Sequence, residues 1–247
     1  MTRCRADLLL VRRGLFESRA RAQAAIAAGL VLADGAPVRR PSDLVDEAAR
    51  ITAEAPHPWV SRGGVKLAAA LDRFGFDPAA AVCLDLGAST GGFTDVLLAR
   101  GAARVHAVDV GHGQLHPRLR ADPRVVSLEG VDARALTRAE IPEPPGLVVA
   151  DLSFISARLV LPHALRLAAP AAALVLLVKP QFEAGRAAVS KGVVRDEAVH
   201  RAVCDDLAAF LIGLGWPVLG VVPSPITGGD GNREFLLGAR RGEVSHA

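Results

Sequence analysis

Three lysines stand out in this 247-residue chain because nearly all its other basic side chains are arginine. Lys66, Lys179 and Lys191 are the only lysines among 29 basic residues. Arginine stays charged in proteins, whereas burial and neighbouring charge can bring a lysine amine to a neutral, proton-accepting form. The three lysines are therefore candidates for acid–base chemistry, with ordinary surface charge as the alternative for each.

Acidic side chains stand at the ends of apolar runs that are typical of buried strands. Asp85, Asp109 and Asp151 each end such a run, as Lys179 does, and Glu234 begins a later one. The carboxyl ends of parallel strands meet at one edge of a sheet, which is where open α/β sheets bind their ligands. These side chains are thus expected to lie together at a ligand site.

The run that ends at Asp85 continues into the glycine-rich segment 85–94, Asp-Leu-Gly-Ala-Ser-Thr-Gly-Gly-Phe-Thr. Its glycines permit a tight turn and a close backbone approach to a ligand at a helix start. The spacing matches neither the dinucleotide-binding motif nor a P-loop. An acid before the turn favours a cationic ligand, and Asp109 is placed to accept hydrogen bonds from two ribose hydroxyls. A plain strand-to-helix connection is the alternative.

The elements that must position these residues alternate between helical and apolar strand patterns from residue 63 onward. This alternation predicts a parallel sheet with helices on both faces. The last two strands are expected to form an antiparallel pair. The expected strands are 81–86, 104–110, 147–151, 172–179, 218–222 and 234–238.

The first quarter of the chain has a different pattern and carries all the excess positive charge. Ser18 is the predicted N-cap of a helix over 19–28, and Asp34-Gly35 predicts a hairpin turn. Residues 1–62 hold ten arginines and seven acids, whereas residues 63–247 are neutral. A local basic module beside a neutral domain is typical of nucleic-acid docking, with a solvated basic face as the alternative.

Composition argues against several classes of protein. The three cysteines lie far apart, without a zinc motif or a disulfide framework. The longest apolar stretch, 168–178, contains Pro170 and is too short to cross a bilayer, and the N-terminus lacks a signal-peptide pattern. The expectation is a soluble cytoplasmic protein with no metal and no membrane partner.

Residues 10–23 and 26–32, with the turn at 34–35, resemble the S4 RNA-binding domain. The resemblance implies a small α+β RNA-binding domain over 1–58, then a linker at 59–64 and a second domain over 65–247. The arginines expected to contact RNA are Arg12, Arg13, Arg19, Arg21, Arg39, Arg40 and Arg62.

The motifs at 59–67, 85–95, 151–156, 178–183 and 231–236 resemble the FtsJ-like methyltransferases, and within them the TlyA (haemolysin A-like) ribosomal RNA 2′-O-methyltransferases. The resemblance implies an α/β, Rossmann-like domain that uses S-adenosylmethionine to methylate a cytidine ribose of ribosomal RNA within ribosomal subunits. It also implies a catalytic tetrad of Lys66, Asp151, Lys179 and Glu234. The residues expected to hold the cofactor are Asp85, Gly87, Ser89, Thr90, Gly91, Gly92, Phe93, Asp109 and, at the adenine, Asp132.

The tetrad suits a ribose 2′-hydroxyl, which is weakly acidic and attacks a methyl group better once its proton is removed. Lys179, crowded by Lys66 and desolvated by substrate, is the expected general base, and Asp151 orients its amine. Lys66 and Glu234 would hold the hydroxyl and balance charge. For Lys191, in a loop one residue shorter than the family pattern, an RNA-backbone contact and a surface charge both stay open.

Other functions fit the motifs less well. Amine methylation typically uses an Asn/Asp-Pro-Pro-aromatic motif, whereas residues 151–154 read Asp-Leu-Ser-Phe, and none of the cysteines lies in a cytosine-C5 motif. Ser153, Ser156 and His163 lack the elbow motif of a hydrolase and are interpreted as capping and surface residues. An RNA-binding assembly factor with a vestigial fold is an alternative, as is a membrane-active haemolysin, which is disfavoured. The subunits modified and the oligomeric state are left open.

Overall fold

The computed structural model describes residues 2–185, 188–228 and 231–241, which form two compact units. The first unit spans Met1–Pro58 and the second spans Trp59–Ala247. In the part of the chain described, no helix has the length and apolar character needed to span a membrane.

The first unit packs two helices against two small antiparallel sheets. One sheet pairs β1 with β4, and the other has the order β3-β2-β5. Its core includes the buried Leu9, Leu10, Ile26 and Val31. The elements are β1 (Arg3–Arg5), α1 (Ala6–Arg12), α2 (Arg19–Ala27), β2 (Val31–Ala33), β3 (Ala36–Pro37), β4 (Leu44–Asp46) and β5 (Ile51–Ala53).

Two local predictions for this unit are confirmed. Ser18 caps α2, since its side chain accepts a hydrogen bond from the Arg21 amide. Asp34 and Gly35 both have positive φ, 48° and 80°, as the tight turn between β2 and β3 requires. The basic helix start and the hairpin are therefore where the sequence predicts them.

The second unit is built on a seven-stranded sheet of order β11-β12-β10-β9-β6-β7-β8. Only β12 opposes its neighbours, pairing antiparallel with both β10 and β11. The strands are β6 (Val82–Leu86), β7 (Arg104–Asp109), β8 (Val125–Glu129), β9 (Leu147–Ala150), β10 (Ala173–Val178), β11 (Val218–Pro223) and β12 (Phe235–Arg240). The helices are α3 (Gly63–Phe74), α4 (Gly92–Ala99), α5 (Pro117–Arg120), α6 (Ala157–Leu165), α7 (Pro180–Glu183) and α8 (Glu197–Gly213).

Helices cover both faces of this sheet because its central strands are apolar on both sides. Leu84, Val148 and Leu174 belong to the cluster that contains residues of α6 and α8. The alternate residues Cys83, Val149 and Val175 belong to the cluster with α3 and α4. Successive strand residues face opposite sides, so the strands read as continuous apolar runs. The α/β Rossmann-like fold is confirmed.

Strand β8 and the segment 59–64 differ from the sequence predictions. The sheet edge formed by β8 is missing from the predicted strands because its residues are only half-buried and form no long apolar run.

Val60, placed in the predicted linker, is buried, and its amide donates to Asp95 Oδ2 at 2.9 Å. Helix α3 already begins at Gly63. Residues 59–64 are thus packed within the second unit.

Candidate active site

The four residues of the predicted tetrad come from four separate elements. Lys66 lies in the second turn of α3, whereas Asp151 and Lys179 directly follow β9 and β10. Glu234 directly precedes β12, and Val178 pairs with Phe235 in the register of β10 and β12. Because β12 runs antiparallel, its amino end lies at the carboxyl edge of the parallel strands. The reversed strand therefore brings Glu234 to the same edge as Asp151 and Lys179.

The tetrad forms two close ion pairs. Lys66 Nζ lies 2.5 Å from Glu234 Oε2, and Lys179 Nζ lies 2.5 Å from Asp151 Oδ1. The Lys66 and Glu234 side chains are only 10% and 3% exposed. Lys179 also donates a hydrogen bond to Ser153 Oγ at 2.8 Å. Each amine is thus held in position by an ion pair with a neighbouring carboxylate.

Two cavities meet at Asp151. The larger, about 590 Å³, lies along the ends of β6, β7 and β9 and is lined by Asp109, Asp132 and Phe154 among others. The smaller, about 230 Å³, is lined by Lys66, Arg62 and the glycine-rich loop. Asp151, Gly87 and Ser89 line both. A group bound in one cavity is therefore a neighbour of a group bound in the other.

The glycine-rich loop is shaped by close backbone approaches. A Cβ on Gly87 (φ +80°) would lie 2.4 Å from the Asp151 carbonyl oxygen, and one on Gly92 would lie 2.2 Å from Ser61 Oγ. Ser89 has φ 47° and donates its amide to Asp109 Oδ2 at 2.8 Å. Gly87 thus allows the loop to pack directly on the segment that carries Asp151.

Asp85 and Asp109, both predicted to meet a ligand, have different surroundings. Asp85 is fully buried and lines neither cavity. Its Oδ2 accepts from Thr94 Oγ1 at 2.7 Å, while its Oδ1 has no hydrogen-bond partner in the described part of the chain. Burial raises the pKa of this carboxyl to about 7. Asp109 lines the larger cavity, where its oxygens accept the amides of Ser89 and Gly111. Asp85 therefore lies buried outside both cavities, whereas Asp109 forms part of the wall of the larger one.

Asp132 also lines the larger cavity. It pairs with Arg134 at 2.6 Å, and the hydrogen bond from that guanidinium lowers its pKa to about 2. Asp132 is thus a charged acceptor facing the larger cavity at neutral pH.

Thr90, Gly91 and Phe93 lie at the start of α4. Thr90 and Phe93 line the smaller cavity.

Phe154 is a site residue to which the sequence analysis gave no role. Its side chain is 91% exposed, its φ is +64°, and its ring lies 5.1 Å from that of Phe182. Positive φ is unfavourable for an aromatic residue, and such positions cluster at functional sites. The signal in the sequence that could have identified Phe154 as a site residue is its position in the Asp-Leu-Ser-Phe motif, three residues after Asp151.

The arginines predicted to contact RNA fall into different groups. Arg12 pairs with Glu47 at 2.7 Å, Arg13 donates to the carbonyls of Glu47 and Ala49, and Arg19 binds Asp7 at 2.9 Å. Arg39 and Arg40 are exposed, and their backbone amides donate to Asp43. Arg21 gives its amide to the Ser18 cap. Arg62 lies in the second unit, at the smaller cavity, beside Lys66.

Family comparison identifies both units. The FtsJ-like methyltransferase model matches residues 59–241, and the S4 domain model matches residues 4–51. The first match covers more than half of the chain. The chain belongs to the FtsJ-like methyltransferase family. Its first unit contains an S4 domain, and the sheet, glycine-rich loop and two ion pairs belong to the methyltransferase unit.

Similar proteins support the same assignment over nearly the whole chain. The 16S/23S rRNA (cytidine-2′-O)-methyltransferase TlyA of Mycobacterium tuberculosis is 48% identical over 96% of this chain and 90% of its own length. Hemolysin A of Brachyspira hyodysenteriae is 39% identical over 94% of this chain and 98% of its own length. A solved structure from Streptococcus thermophilus that carries the name hemolysin has a TM-score of 0.77 and 40% identity, covering 98% of this chain and 89% of that one.

Proposed function

We propose that this methyltransferase transfers a methyl group from S-adenosylmethionine to the 2′-hydroxyl of a cytidine in ribosomal RNA. The observation that carries the proposal is the pair of lysine–carboxylate contacts, Lys66–Glu234 and Lys179–Asp151, at the carboxyl edge of a methyltransferase sheet. The name of the Mycobacterium tuberculosis relative supports the substrate. Such a substrate implies a cytoplasmic site of action.

The larger cavity fits the cofactor. Its volume of about 590 Å³ lies within the range of small-molecule sites. Gly87 leaves open the space that a Cβ would fill beside Asp151, and the ionised Asp132 offers an acceptor for an amino group. Asp109 keeps acceptor capacity for ribose hydroxyls. When bound, the cofactor supplies an electrophilic methyl group on a positively charged sulfur.

Lys179 is the proposed general base for the 2′-hydroxyl. In the structure its amine is paired with Asp151 and donates to Ser153, which is exposed. A general base needs a neutral amine, so Lys179 must release its ammonium proton before it can accept the hydroxyl proton. Ser153 provides a hydrogen-bonded path from Nζ to solvent. Asp151 then holds the neutral amine in line with the hydroxyl.

Lys66 and Glu234 are proposed to hold the ribose rather than to exchange its proton. Their contact is almost fully buried, and a buried ion pair keeps a defined geometry because breaking it leaves an uncompensated charge. Lys66 lines the smaller cavity, which opens beside Asp151. The ammonium can therefore stabilise negative charge that develops on the attacking oxygen.

Phe154 is proposed to stack on the target base. Its ring is exposed at the rim of the larger cavity and backed by Phe182. Bases stack on aromatic side chains once they leave a helix, as an enzyme that acts on a nucleotide requires. The S4 domain is proposed to dock the substrate RNA through exposed arginines such as Arg39 and Arg40.

The direct test uses ribosomal subunits that lack the modification, incubated with the protein and methyl-labelled S-adenosylmethionine. A 2′-O-methyl group blocks alkaline cleavage of its own phosphodiester, so the label should be recovered in an alkali-resistant dinucleotide containing cytidine. A matched Lys179→Ala protein should leave the RNA unlabelled. Label that is recovered in mononucleotides would contradict the ribose assignment, and absence of label would favour a vestigial methyltransferase fold.

A further inference from the structure

Lys191, the lysine outside the tetrad, lies in a tight turn whose backbone disfavours it. Ser190 and Val193 exchange two hydrogen bonds of 3.0 Å, which closes a hairpin around Lys191 and Gly192. These two residues have φ +50° and +78°. Turns with positive φ at both central positions favour Asn-Gly, because a Cβ is unfavourable there. The chain thus keeps a lysine where local conformation selects against it.

The hairpin is held by the buried side chain of Asn232. Asn232 Nδ2 donates to the Gly192 carbonyl at 2.9 Å, and its Oδ1 accepts from the Val194 amide at 3.2 Å. The ring Nε2 of His200 lies 3.1 Å from the Val194 carbonyl oxygen. Asn232 is only 3% exposed, and its hydrogen bond with the Val194 amide is buried. Lys191 is therefore carried on a fixed support.

The same asparagine belongs to the turn that leads into Glu234. The Gly228 amide donates to the Asn232 carbonyl at 2.9 Å. A Cβ on Gly228 would lie 2.6 Å from Glu234 Oε1, so this turn packs directly on the carboxylate that pairs with Lys66. The path from Lys191 through Asn232 to Glu234 is on the order of 15 Å long. The hairpin is thus attached to the edge of the active site.

Among the residues that the structure describes, the charge of Lys191 has no partner, unlike the charges of Lys66 and Lys179. Lys191 is exposed, and within residues 2–185, 188–228 and 231–241 no hydrogen bond or ion pair reaches its side chain. A compact ammonium on a fixed support is suited to a phosphate oxygen, which it meets as a point charge. RNA entering the site presents a row of such oxygens.

We propose that Lys191 contacts a backbone phosphate of the RNA next to the target nucleotide, and that Asn232 is the positioning residue that holds this contact and Glu234 in a common frame. This inference rests on the proposed function and adds to it a substrate contact outside the tetrad. Because the contact is to phosphate, it contributes to RNA affinity and not to the chemical step.

The test compares full-length Lys191→Ala, Lys191→Asn and Lys191→Arg on unmodified ribosomal subunits, with kcat and KM measured at several salt concentrations. Asparagine fits the left-handed backbone better than lysine, so Lys191→Asn removes the charge without straining the turn. We expect the alanine and asparagine variants to raise KM about 3- to 10-fold at nearly unchanged kcat. The slope of log(kcat/KM) against log salt should fall by roughly 0.7 to 0.9, and Lys191→Arg should keep both values.

Arg100→Ala is the control, since it removes one exposed cation, paired with Asp72, that follows α4 at the amino-terminal edge of the parallel strands. It should leave KM and the salt slope unchanged. Asn232→Ala should lower kcat through Glu234 and reduce the salt slope as the Lys191 variants do. A change in its melting temperature alone would contradict the positioning role.

Wild-type KM and salt slope in both Lys191→Ala and Lys191→Asn would overturn the phosphate contact while leaving the proposed function intact. A wild-type protein that leaves ribose unmethylated would instead contradict the proposed function, and this inference with it.

Discussion

At the scale of single residues, the proposed role of Lys179 as a general base is one that arginine cannot fill. Lys66 and Lys179 are each 2.5 Å from a carboxylate oxygen and mostly buried. A guanidinium could form the same ion pairs, but it stays protonated and cannot accept a proton from a hydroxyl. The scarcity of lysine in the sequence is thus most informative at Lys179, which follows a strand end and pairs with Asp151.

Replacement of Lys179 by arginine separates charge from basicity. Lys179→Arg keeps a cation beside Asp151, so we expect binding of S-adenosylmethionine to stay near the wild-type value. Loss of the general base should lower kcat by at least about 100-fold. Calorimetric titration and single-turnover methylation would measure the two effects. A Lys179→Arg enzyme with wild-type kcat would contradict the base role.

Asp85 makes the stability of the methyltransferase unit depend on pH. Its folded pKa of about 7 lies above the ordinary value near 3.9, so the folded protein holds an extra proton between these pH values. The contribution of Asp85 to the free energy of unfolding is therefore largest at low pH. It falls as pH rises toward 7, by up to roughly 1.4 kcal/mol per pH unit. Asp85→Asn cannot titrate and still accepts from Thr94. The melting temperature of Asp85→Asn relative to wild type should rise between pH 5 and pH 8.

A difference measurement is needed because His106 acts in the opposite direction. Burial lowers the pKa of this histidine, so the fold loses stability as pH falls through about 6.5. His106 is present in both proteins and cancels in the comparison. A constant difference in melting temperature from pH 5 to pH 8 would show that Asp85 does not titrate in this range.

Residue identity and order along the chain predicted which side chains come together at the site. They did not predict which charged side chains are held in ion pairs within the protein. Asp151, Lys179 and Glu234 come together because strand ends share an edge, which the apolar runs reveal. The pairing of Arg19 with Asp7, and of Arg12 with Glu47, depends on contacts in space that no local pattern indicates. The exposure of Phe154 is also a property of the folded backbone.

At the scale of elements, the glycine-rich loop must pack on the end of β9. The Gly87 Cα approaches the Asp151 carbonyl too closely for any side chain. The sequence predicted a tight turn from the glycines, and it predicted the central strands from their apolar runs. It could not predict β8, whose half-buried residues lack such a run, or the contact between the loop and the 59–64 segment.

Gly87→Ala should therefore disturb both the loop and Asp151. The added Cβ would meet the Asp151 carbonyl oxygen at 2.4 Å, and positive φ adds a backbone cost of roughly 1–2 kcal/mol. We expect a lower melting temperature and at least a tenfold weaker binding of S-adenosylmethionine. Gly113→Ala is the control, because Gly113 has φ +67° with no atom within 4 Å of the added Cβ.

Gly113→Ala should show the backbone cost with little loss of cofactor affinity. Equal affinities for the two variants would mean that the close approach of Gly87 to Asp151 does not shape the cofactor site.

At the scale of the whole molecule, the excess charge and the chemistry lie in different parts of the chain. The net charge of +3 lies within residues 1–62, and the two ion pairs lie beyond them. Deletion of residues 1–58 should leave the methyltransferase unit folded, since its sheet and its core clusters are formed by later residues. Methylation of ribosomal subunits should fall by at least about 100-fold because the electrostatic contribution of the S4 domain to RNA affinity is lost.

Circular dichroism and binding of S-adenosylmethionine would verify that the truncated protein is folded. If it is folded and methylates subunits as fast as the full-length chain, the docking role of the S4 domain is wrong.

The position of β12 has a consequence for the order in which the enzyme is made. Lys66 and Glu234 are 168 residues apart, and β12 must insert between β10 and β11 after all other strands exist. At roughly 5–20 residues per second, a ribosome needs on the order of 10–30 s to travel from one to the other. During that time the nascent chain has Lys66 without its partner and a sheet that lacks an inner strand. The growing polypeptide therefore lacks the Lys66–Glu234 ion pair until β12 emerges.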